Sequence, residues 1–310
     1  RNRAPFSFLH AFLCFTLMPS PRFVHLRFHS EYSITDGIVR IDPMIHAVLE
    51  GGGAAVGISD LMNVFGGLRF YTHALAAGLK PILGCDLKVI NPKDLNKPFR
   101  LGVLCMNHEG YHSLSVLLTK AFLTNNDAAR GLVDPKWFDD GGSEGLIALS
   151  GAAQGELGSL LLGKKWSLAH EAAERFKAQF SGRFYVELQR AGRPTDELAT
   201  ARLANFAVEE QLPVVATHPI QFLKPEDFEA HEVRCSIAEG YTLQDPRRVK
   251  RYTPEQYLKS EAEMCELFAD IPAAIENTVE IAKRCNLDGV LSKPQLPLFP
   301  TPDGMSLDDY

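Results

Sequence analysis

The sequence predicts an α/β fold in which βα units surround a parallel sheet. From residue 22 to about residue 217, short β-branched or apolar runs alternate with longer stretches of helical periodicity. The chain has 310 residues, of which 45% are hydrophobic, so it is long enough for one large α/β barrel or for two ordinary domains. The seven candidate strands are more than a domain built from a single β-hairpin would contain.

The candidate strands are short apolar segments separated by turn residues. They are residues 23–28, 54–59, 81–90, 101–106, 146–150, 184–189 and 213–217. The predicted helices between them are residues 41–50, 66–78, 109–122, 167–180 and 196–212. The last of these opens with Asp196 as a candidate N-cap. A further helical segment follows residue 225, where Ser260 and Glu263 have the spacing of a capping box.

Composition places few limits on partners. The net charge is −6 and charged residues make up 23% of the chain, so nothing indicates disorder and no global positive field draws the protein to nucleic acid. Contact with DNA would therefore depend on local patches of positively charged side chains. The six cysteines include no C-x-x-C pair, and most have apolar neighbours. We therefore expect a reduced, cytoplasmic protein that does not associate with membranes.

The two ends of the chain differ in composition from the rest. Because residue 1 is Arg and Met18 is a plausible initiator, residues 1–17 are predicted to be an upstream or cloning-derived segment. A targeting segment is disfavoured, since His10 interrupts the apolar run and no small-residue cleavage site follows it. The run is also too short to span a membrane. The last residues, 286–310, contain four prolines and no helical period, which predicts an extended linker.

Candidate metal ligands cluster at the end of the first predicted strand. The stretch HLRFHSEYSITDG, residues 25–37, contains His25, His29, Glu31 and Asp36. In a parallel barrel, functional side chains gather at the carboxyl ends of the strands. Imidazoles and carboxylates that converge there could hold two or three divalent ions that activate water against a phosphoester. An isolated His or Asp, however, is more often a hydrogen-bonded polar group or a helix cap.

Several long segments, taken in order, resemble one family. They are FVHLRFHSEYSITDG, AVGISDLMNVFGGLRFY, GLKPILGCD, LPVVATHPIQFL, DFEAHEVRCSIAEG and SEAEMCELFADIPAAIENTVEIAKRCN. Together they resemble the polymerase and histidinol phosphatase (PHP) domain at the amino terminus of bacterial DNA polymerase III alpha subunits. The resemblance covers about residue 20 through residue 310. It implies a distorted, seven-stranded, TIM-like (βα) barrel of the PHP type over residues 18–285, followed by a linker, residues 286–310, toward an absent polymerase palm region.

The resemblance also allows the metal site of the family to be checked position by position. Family members with an intact site use nine ligands, and three of these positions keep a usable ligand here: His29, Asp36 and Asp86, the last a shorter carboxylate. The other six positions hold residues that do not serve as ligands in the family: Arg27, Leu61, Arg100, Ala152, Pro219 and Gln221. Three ligands cannot hold a polynuclear cluster, and arginine repels a divalent cation. We therefore expect no metal ion and no catalytic residue in this chain.

The lost ions would leave carboxylates that need other partners. Buried like charges raise one another's pKa and cost stability unless cations neutralise them. Because Arg27 and Arg100 stand at former ligand positions, we predict at least one Arg–Asp contact of hydrogen-bonding length with Asp36 or Asp86, with His29 nearby.

In the resembling family, a degenerate PHP site implies a scaffold that docks a separate proofreading exonuclease subunit within the replicase. The parent protein would be a DNA-directed DNA polymerase, a nucleotidyltransferase that uses Mg²⁺ and primer–template DNA, with its catalytic carboxylates beyond Tyr310. The alternative is a self-sufficient metal-dependent phosphoesterase or 3′–5′ exonuclease, which Arg27, Leu61, Pro219 and Gln221 disfavour. A purely structural domain without a separate partner is the third possibility.

Four further features have structural as well as functional explanations. His218 is one residue away from a family ligand position, and this offset points it to the opposite strand face, so a buried histidine is favoured over a ligand. His108 and His112 have the spacing of a helical ligand pair but are favoured as a polar helix face. The basic run 245–252 is favoured as solvated surface over a nucleic-acid contact. The glycine-rich residues 50–57 predict a helix-to-strand turn.

Overall fold

The computed structural model describes residues 22–124, 131–288, 300–302 and 304–310. Within these ranges one six-stranded sheet forms the centre of the molecule. Its strands are β1 (Ala55–Ile58), β2 (Lys80–Val89), β3 (Phe99–Cys105), β4 (Leu146–Leu149), β5 (Phe184–Gln189) and β6 (Val214–Thr217), and they lie side by side in this order. The predicted α/β class is confirmed, and each of these strands overlaps a predicted one.

Helices precede, connect and follow the strands of the sheet. They are α1 (Ile41–Glu50), α2 (Gly67–Ala76), α3 (His108–Leu123), α4 (Glu156–Leu162), α5 (Trp166–Gln179), α6 (Asp196–Glu209), α7 (Phe228–Glu239), α8 (Glu261–Leu267) and α9 (Pro272–Arg284). Helix α4 was not predicted, because it is short and lies between two glycines, Gly155 and Gly163. Among the helices in the described part of the chain, none combines the length and apolar character needed to cross a membrane.

The two predicted helix caps have different outcomes. Ser260 accepts from the amide of Glu263, whose carboxylate accepts in turn from the Ser260 amide, so the capping box that begins α8 is confirmed. The assignment of Asp196 as a cap is wrong by one residue. Thr195 precedes α6 without a side-chain cap, and Asp196 instead accepts from the amides of Ala191 and Arg193. Its carboxylate thus orders the turn that leads into the helix.

The prediction of an entirely parallel sheet is wrong at one strand. The pairs β1–β2, β4–β5 and β5–β6 are parallel, but β3 runs antiparallel to both β2 and β4. Only residues 90–98 connect β2 to β3, and they form no helix. A parallel pair needs a longer crossover, usually helical, so this short connection forces the chain to reverse.

The first predicted strand, residues 23–28, forms isolated bridges instead of a regular strand. His25 bridges Val56 of β1, and Phe28 bridges Ile220, which follows β6. The segment passes close to β1 at Gly57, where an added Cβ would lie 2.4 Å from the carbonyl oxygen of Leu26. Residues 23–28 therefore lie between the two edges of the sheet, but a regular seventh strand is absent from the described residues and a seven-stranded barrel is not confirmed.

The strands are buried on both faces, which explains their nearly continuous apolar sequences. In β4, Leu146 and Ala148 face the larger core cluster beneath the helices, whereas Ile147 and Leu149 face a second cluster. Helix α9 contributes to that second cluster through apolar side chains on its buried face. The short segment after α9 stays in contact with the domain, since the Tyr71 hydroxyl donates to the carbonyl of Leu287 at 2.7 Å.

Candidate functional site

A cavity of about 90 Å³ brings together seven of the nine positions that the resemblance singles out. The seven are Arg27, His29, Asp36, Asp86, Arg100, Pro219 and Gln221. The other two lie beside it. Leu61 forms an isolated bridge with Asp86, and Ala152 follows Gly151, which does line the cavity. The sequence-based assignments therefore identify one place in the fold.

Arg27, which lines this cavity, lies between two carboxylates. Its Nη2 is 2.8 Å from Oδ2 of Asp86, and its Nη1 is 2.7 Å from Oε1 of Glu187. Burial opposes the charge of Arg27, but the two carboxylates outweigh burial and raise its pKa further above the ordinary value. The predicted Arg–Asp contact of hydrogen-bonding length is confirmed, with a second acidic partner that was not predicted.

His29 belongs to the same group of buried ion pairs, the ion-pair cluster, which consists of Arg27, His29, Asp36, Asp86, Arg100 and Glu187. Its Nδ1 is 3.0 Å from Oδ2 of Asp36, and its Nε2 is 3.4 Å from Oδ2 of Asp86. Burial alone would lower the pKa of this imidazole, but the two carboxylates raise it to about 9. Because both ring nitrogens face carboxylates, His29 is protonated at neutral pH and has no free lone pair for a metal ion.

Both aspartates are neutralised by cations of the protein. Burial would raise the pKa of Asp36 and of Asp86, yet His29 lowers the first and Arg27 with Arg100 lowers the second below the ordinary value. Asp36 also accepts hydrogen bonds from the hydroxyl groups of Ser33 at 2.7 Å and Tyr252 at 3.1 Å. The two carboxylates are therefore ionised and each contacts a cation, although the buried Oδ1 of Asp86 has no hydrogen-bond partner among the described residues.

Sequence reasoning missed Glu187, the most completely buried acid of the cluster. It accepts from Arg27, from the amide of Gly151 at 2.9 Å, from Nε2 of Gln189 at 3.0 Å and from the hydroxyl of Thr217. The available signal was its place in FYVELQ, the middle of an otherwise apolar strand. A charged side chain at such a position needs buried partners, because an unpaired buried charge would destabilise the fold.

The PHP resemblance implies a metal centre, so the donor set can be tested against one. His29, Asp36 and Asp86, the ligands that the resemblance implies, contact one another or arginine, and the guanidinium of Arg27 contacts Asp86 from a position that the resemblance gives to a ligand. Within residues 22–124, 131–288, 300–302 and 304–310, no three His, Cys, Asp or Glu side chains group in a way that could hold a metal ion. The residues present do not fit a polynuclear metal centre.

The alternative ligand candidates lie apart from this cavity. His218 is buried and its Nε2 lies 2.8 Å from the carbonyl of Glu255, while His25 makes the same kind of contact with Lys259 at 2.7 Å. Burial lowers the pKa of His218 to about 3 and that of His25 to about 4, so both are neutral. Each ring faces the backbone of residues 255–259 and not the ion-pair cluster.

The basic run at 245–252 is largely neutralised within the fold. Arg247 pairs with Asp245, Arg248 with Glu232 and Arg251 with Glu239 at 2.7 to 2.8 Å. These contacts favour the structural explanation over a nucleic-acid contact. Residues 51–54 connect α1 to β1, so the predicted helix-to-strand turn is confirmed.

Stability should fall at alkaline pH because of His29. Its folded-state pKa of about 9 lies above the ordinary histidine pKa of 6.5, so its contribution to stability is complete below pH 6.5 and is lost as the pH rises through about 9. The difference corresponds to about 3 kcal/mol in the free energy of unfolding. Urea unfolding of the wild type and of His29→Asn across this range would measure it. Parallel pH profiles for the two proteins would contradict the assignment.

A buried cluster of ion pairs at one end of the sheet, at positions that the resemblance gives to metal ligands, defines the class: an α/β domain with a charged internal cleft. The sequence profile of the PHP domain matches residues 25–191, more than half of the chain. The chain belongs to the PHP domain family.

Known proteins extend this similarity over nearly the whole chain. DNA polymerase III subunit alpha of Neisseria meningitidis serogroup B is 48% identical over 94% of this chain and 26% of its own length. The same subunit of Escherichia coli K12 is 43% identical over 94% of this chain and 25% of its own. This chain thus spans about a quarter of the length of these relatives. Among solved structures, an amidohydrolase from Chromobacterium violaceum is 12% identical with a TM-score of 0.43, over 64% of this chain and 87% of that chain.

Proposed function

We propose that this chain is the PHP portion of a replicative DNA polymerase III alpha subunit, in which the PHP cleft serves as a scaffold and not as a hydrolase. Identity of 48% across 94% of the chain supports the parent protein. The observation that carries the scaffold role is the guanidinium of Arg27 between Asp86 and Glu187. A cation that cannot lose its proton stands where the family resemblance implies a metal ligand.

The ion-pair cluster is suited to a supporting role because it ties separate elements together. Arg27 precedes β1, Asp86 lies on β2 and Glu187 on β5, and Tyr252 reaches Asp36 from the segment after α7. Separating these elements would leave a buried charge without its partner, which costs several kcal/mol, so the pairs stabilise the arrangement in which the elements meet. We infer that the cluster fixes the shape of the surface that a partner recognises.

In the parent subunit, DNA synthesis on a primer–template with Mg²⁺ would be performed outside this chain. The PHP portion would support the rest of the subunit and bind partner proteins. The proposed partner is a separate proofreading exonuclease subunit, together with other subunits of the replicase. Loss of the metal ligands at six of the nine positions is the feature that motivates a separate proofreading protein.

We expect the purified chain to bind the proofreading exonuclease subunit of the same organism. Isothermal titration calorimetry or size-exclusion chromatography at micromolar concentration would detect the complex. Arg27→Ala should weaken it through loss of local order, whereas Arg22→Ala, at an exposed pair with Glu261, should not. A chain that is folded but forms no complex would reduce the role to internal support of the polymerase.

The alternative is a metal-dependent phosphoesterase or 3′–5′ exonuclease, and the convergence of His29, Asp36 and Asp86 in one cavity is the observation in its favour. Metal analysis of the purified protein and hydrolysis of p-nitrophenyl phosphate and single-stranded DNA with Mn²⁺ or Zn²⁺ separate the two functions. We expect no metal-dependent hydrolysis. Arg27→His alone should not create it, because Leu61, Pro219 and Gln221 still provide no charged or imidazole ligand.

A further inference from the structure

A groove of about 370 Å³ lies between α8 and α9 and shares no lining residue with the cavity of the ion-pair cluster. Its lining is mainly apolar and includes Cys265, Phe268, Ala269, Pro272, Ile275 and Val279. Phe268 and Ile275 also belong to the larger core cluster, so the floor of the groove is fixed by the packing of the domain. Apolar surface that a folded domain leaves open in a groove is typical of a binding site.

The rim of the groove carries negative charge that the domain does not neutralise. Glu276 and Glu280 are four residues apart on α9, and both line the groove. Glu280 pairs with Lys283 at 2.7 Å in a contact open to solvent, whereas Glu276 has no ion pair within the described part of the chain. Arg22, the cation in the lining, is already paired with Glu261 at 3.0 Å. A segment that fits this groove would therefore be apolar and would carry a positive charge opposite Glu276.

Helix α9 lies at the end of the sheet opposite the ion-pair cluster. Nδ2 of Asn277 donates to the carbonyl of Val214, the first residue of β6, at 2.7 Å. Nη2 of Arg284 donates to the carbonyl of Gly182, shortly before β5 begins, at 3.0 Å. The cavity of the cluster, by contrast, is lined by Gln189, the last residue of β5. Occupation of the groove would therefore leave the cavity open to another partner.

The helix that leads toward the rest of the proposed parent protein forms one wall of the groove. It ends at Arg284, about one turn beyond Glu280. The bond from the Tyr71 hydroxyl to the Leu287 carbonyl then holds the next residues against the domain. This chain spans about a quarter of the length of its polymerase relatives. In the proposed parent, the later part of the chain is tethered to this helix, and a tether raises its effective concentration at the groove.

We propose that the groove between α8 and α9 is the docking site for the later part of the same polypeptide, through an apolar segment that carries a lysine or an arginine. The inference rests on the proposed parent protein, in which most of the chain follows Tyr310. Apolar side chains of that segment would cover Ile275 and Val279, and its cation would pair with Glu276. A tethered segment suits a groove of this size better than a separate protein does, because it needs only modest intrinsic affinity. Docking would fix the orientation of this domain on the polymerase part.

Cys265 can report whether the groove is occupied. It lines the groove and is partly exposed, whereas Cys85, Cys105, Cys235 and Cys285 are buried. The test compares N-ethylmaleimide labelling of the 310-residue chain and of the full-length subunit from the same organism, read by mass spectrometry of the peptide that contains Cys265. We expect labelling at least about tenfold slower in the full-length subunit, which corresponds to about 1.4 kcal/mol of docking.

A charge reversal tests the proposed pairing with Glu276. Glu276→Lys in the full-length subunit should restore fast labelling of Cys265, because two cations would then face each other. Each variant is compared with the same variant of the 310-residue chain, so that its effect on the intrinsic reactivity of the thiol cancels. Glu229→Lys, at an exposed position of α7, is the matched control and should keep Cys265 protected. Protection that persists in Glu276→Lys would overturn the proposal.

Other occupants of the groove predict different results. Equal labelling of Cys265 in the two proteins would overturn the proposal. So would slow labelling in the 310-residue chain, which would assign the groove to residues before Arg22 or, if the rate depends on protein concentration, to a second copy. Primer extension by the full-length subunit tests the parent protein separately, so an active polymerase in which Cys265 stays reactive would refute the groove inference alone. Failure of exonuclease docking would leave the labelling unchanged.

Discussion

Replacing Arg27 with alanine is expected to lower the free energy of unfolding by about 3–5 kcal/mol, the range found when one partner of a buried ion pair is removed. The guanidinium pairs with two carboxylates at once, Asp86 at 2.8 Å and Glu187 at 2.7 Å, and its side chain is only 7% exposed. Without it, Glu187 would lose its charged partner, and Asp86 would keep only the longer contacts with Arg100 and His29 at 3.4 Å, so buried negative charge would be poorly compensated. Urea denaturation at neutral pH would measure the loss.

A graded set of variants separates charge from packing. Arg27→Lys keeps the charge but replaces a planar fork with one ammonium group, so it should fall between wild type and alanine. A double-mutant cycle with Glu187→Gln should give a coupling energy of about 0.5–3 kcal/mol, since the two side chains touch. Arg22→Ala serves as control, because its side chain is 66% exposed and its ion pair with Glu261 is open to solvent. Equal midpoints for Arg27→Ala and Arg22→Ala would contradict the account.

The parts of the fold that could be predicted are those set by local periodicity. Apolar runs located β1 through β6 to within about two residues, and the capping box of Ser260 and Glu263 correctly marked the start of α8. The direction of β3 could not be read from periodicity, because an apolar strand has the same sequence pattern in either orientation. The short connection at 90–98 was the available clue, since it is too short for a helical crossover.

The candidate site could be predicted only as a set of positions. The resemblance identified Arg27, His29 and Asp86 as neighbours, and the rule that a buried carboxylate needs a cation predicted their contact. Glu187 could not be placed beside them, because residues 27 and 187 are far apart in sequence and their proximity depends on how the strands are ordered. For the same reason Tyr252 was missed, since it reaches Asp36 from the segment after α7. Long-range pairing of polar side chains is a property of topology, which periodicity does not encode.

Glu187→Ala is expected to destabilise the protein as much as Arg27→Ala, by about 3–5 kcal/mol, because it strips a buried cation of one partner. Three further donors would also lose their acceptor: the amide of Gly151, Nε2 of Gln189 and the hydroxyl of Thr217. Gly151 cannot easily move to find another, since it adopts φ +80° and an added Cβ would lie 2.2 Å from the carbonyl oxygen of Arg100.

The conservative variant tests whether the charge or the shape of Glu187 matters more. Glu187→Gln keeps an acceptor oxygen for the Gly151 amide but removes the charge that faces Arg27, so a loss of about 1–3 kcal/mol is expected, close to the value of a charged hydrogen bond. Hydrogen exchange at the Gly151 amide should be faster in Glu187→Ala than in Glu187→Gln, because only the alanine variant leaves that amide without an acceptor. Glu276→Ala, on an exposed position of α9, is the matched control. Unchanged protection of the Gly151 amide in Glu187→Ala would show that Glu187 does not hold this turn, and its assignment as the acidic centre of the cluster would then be wrong.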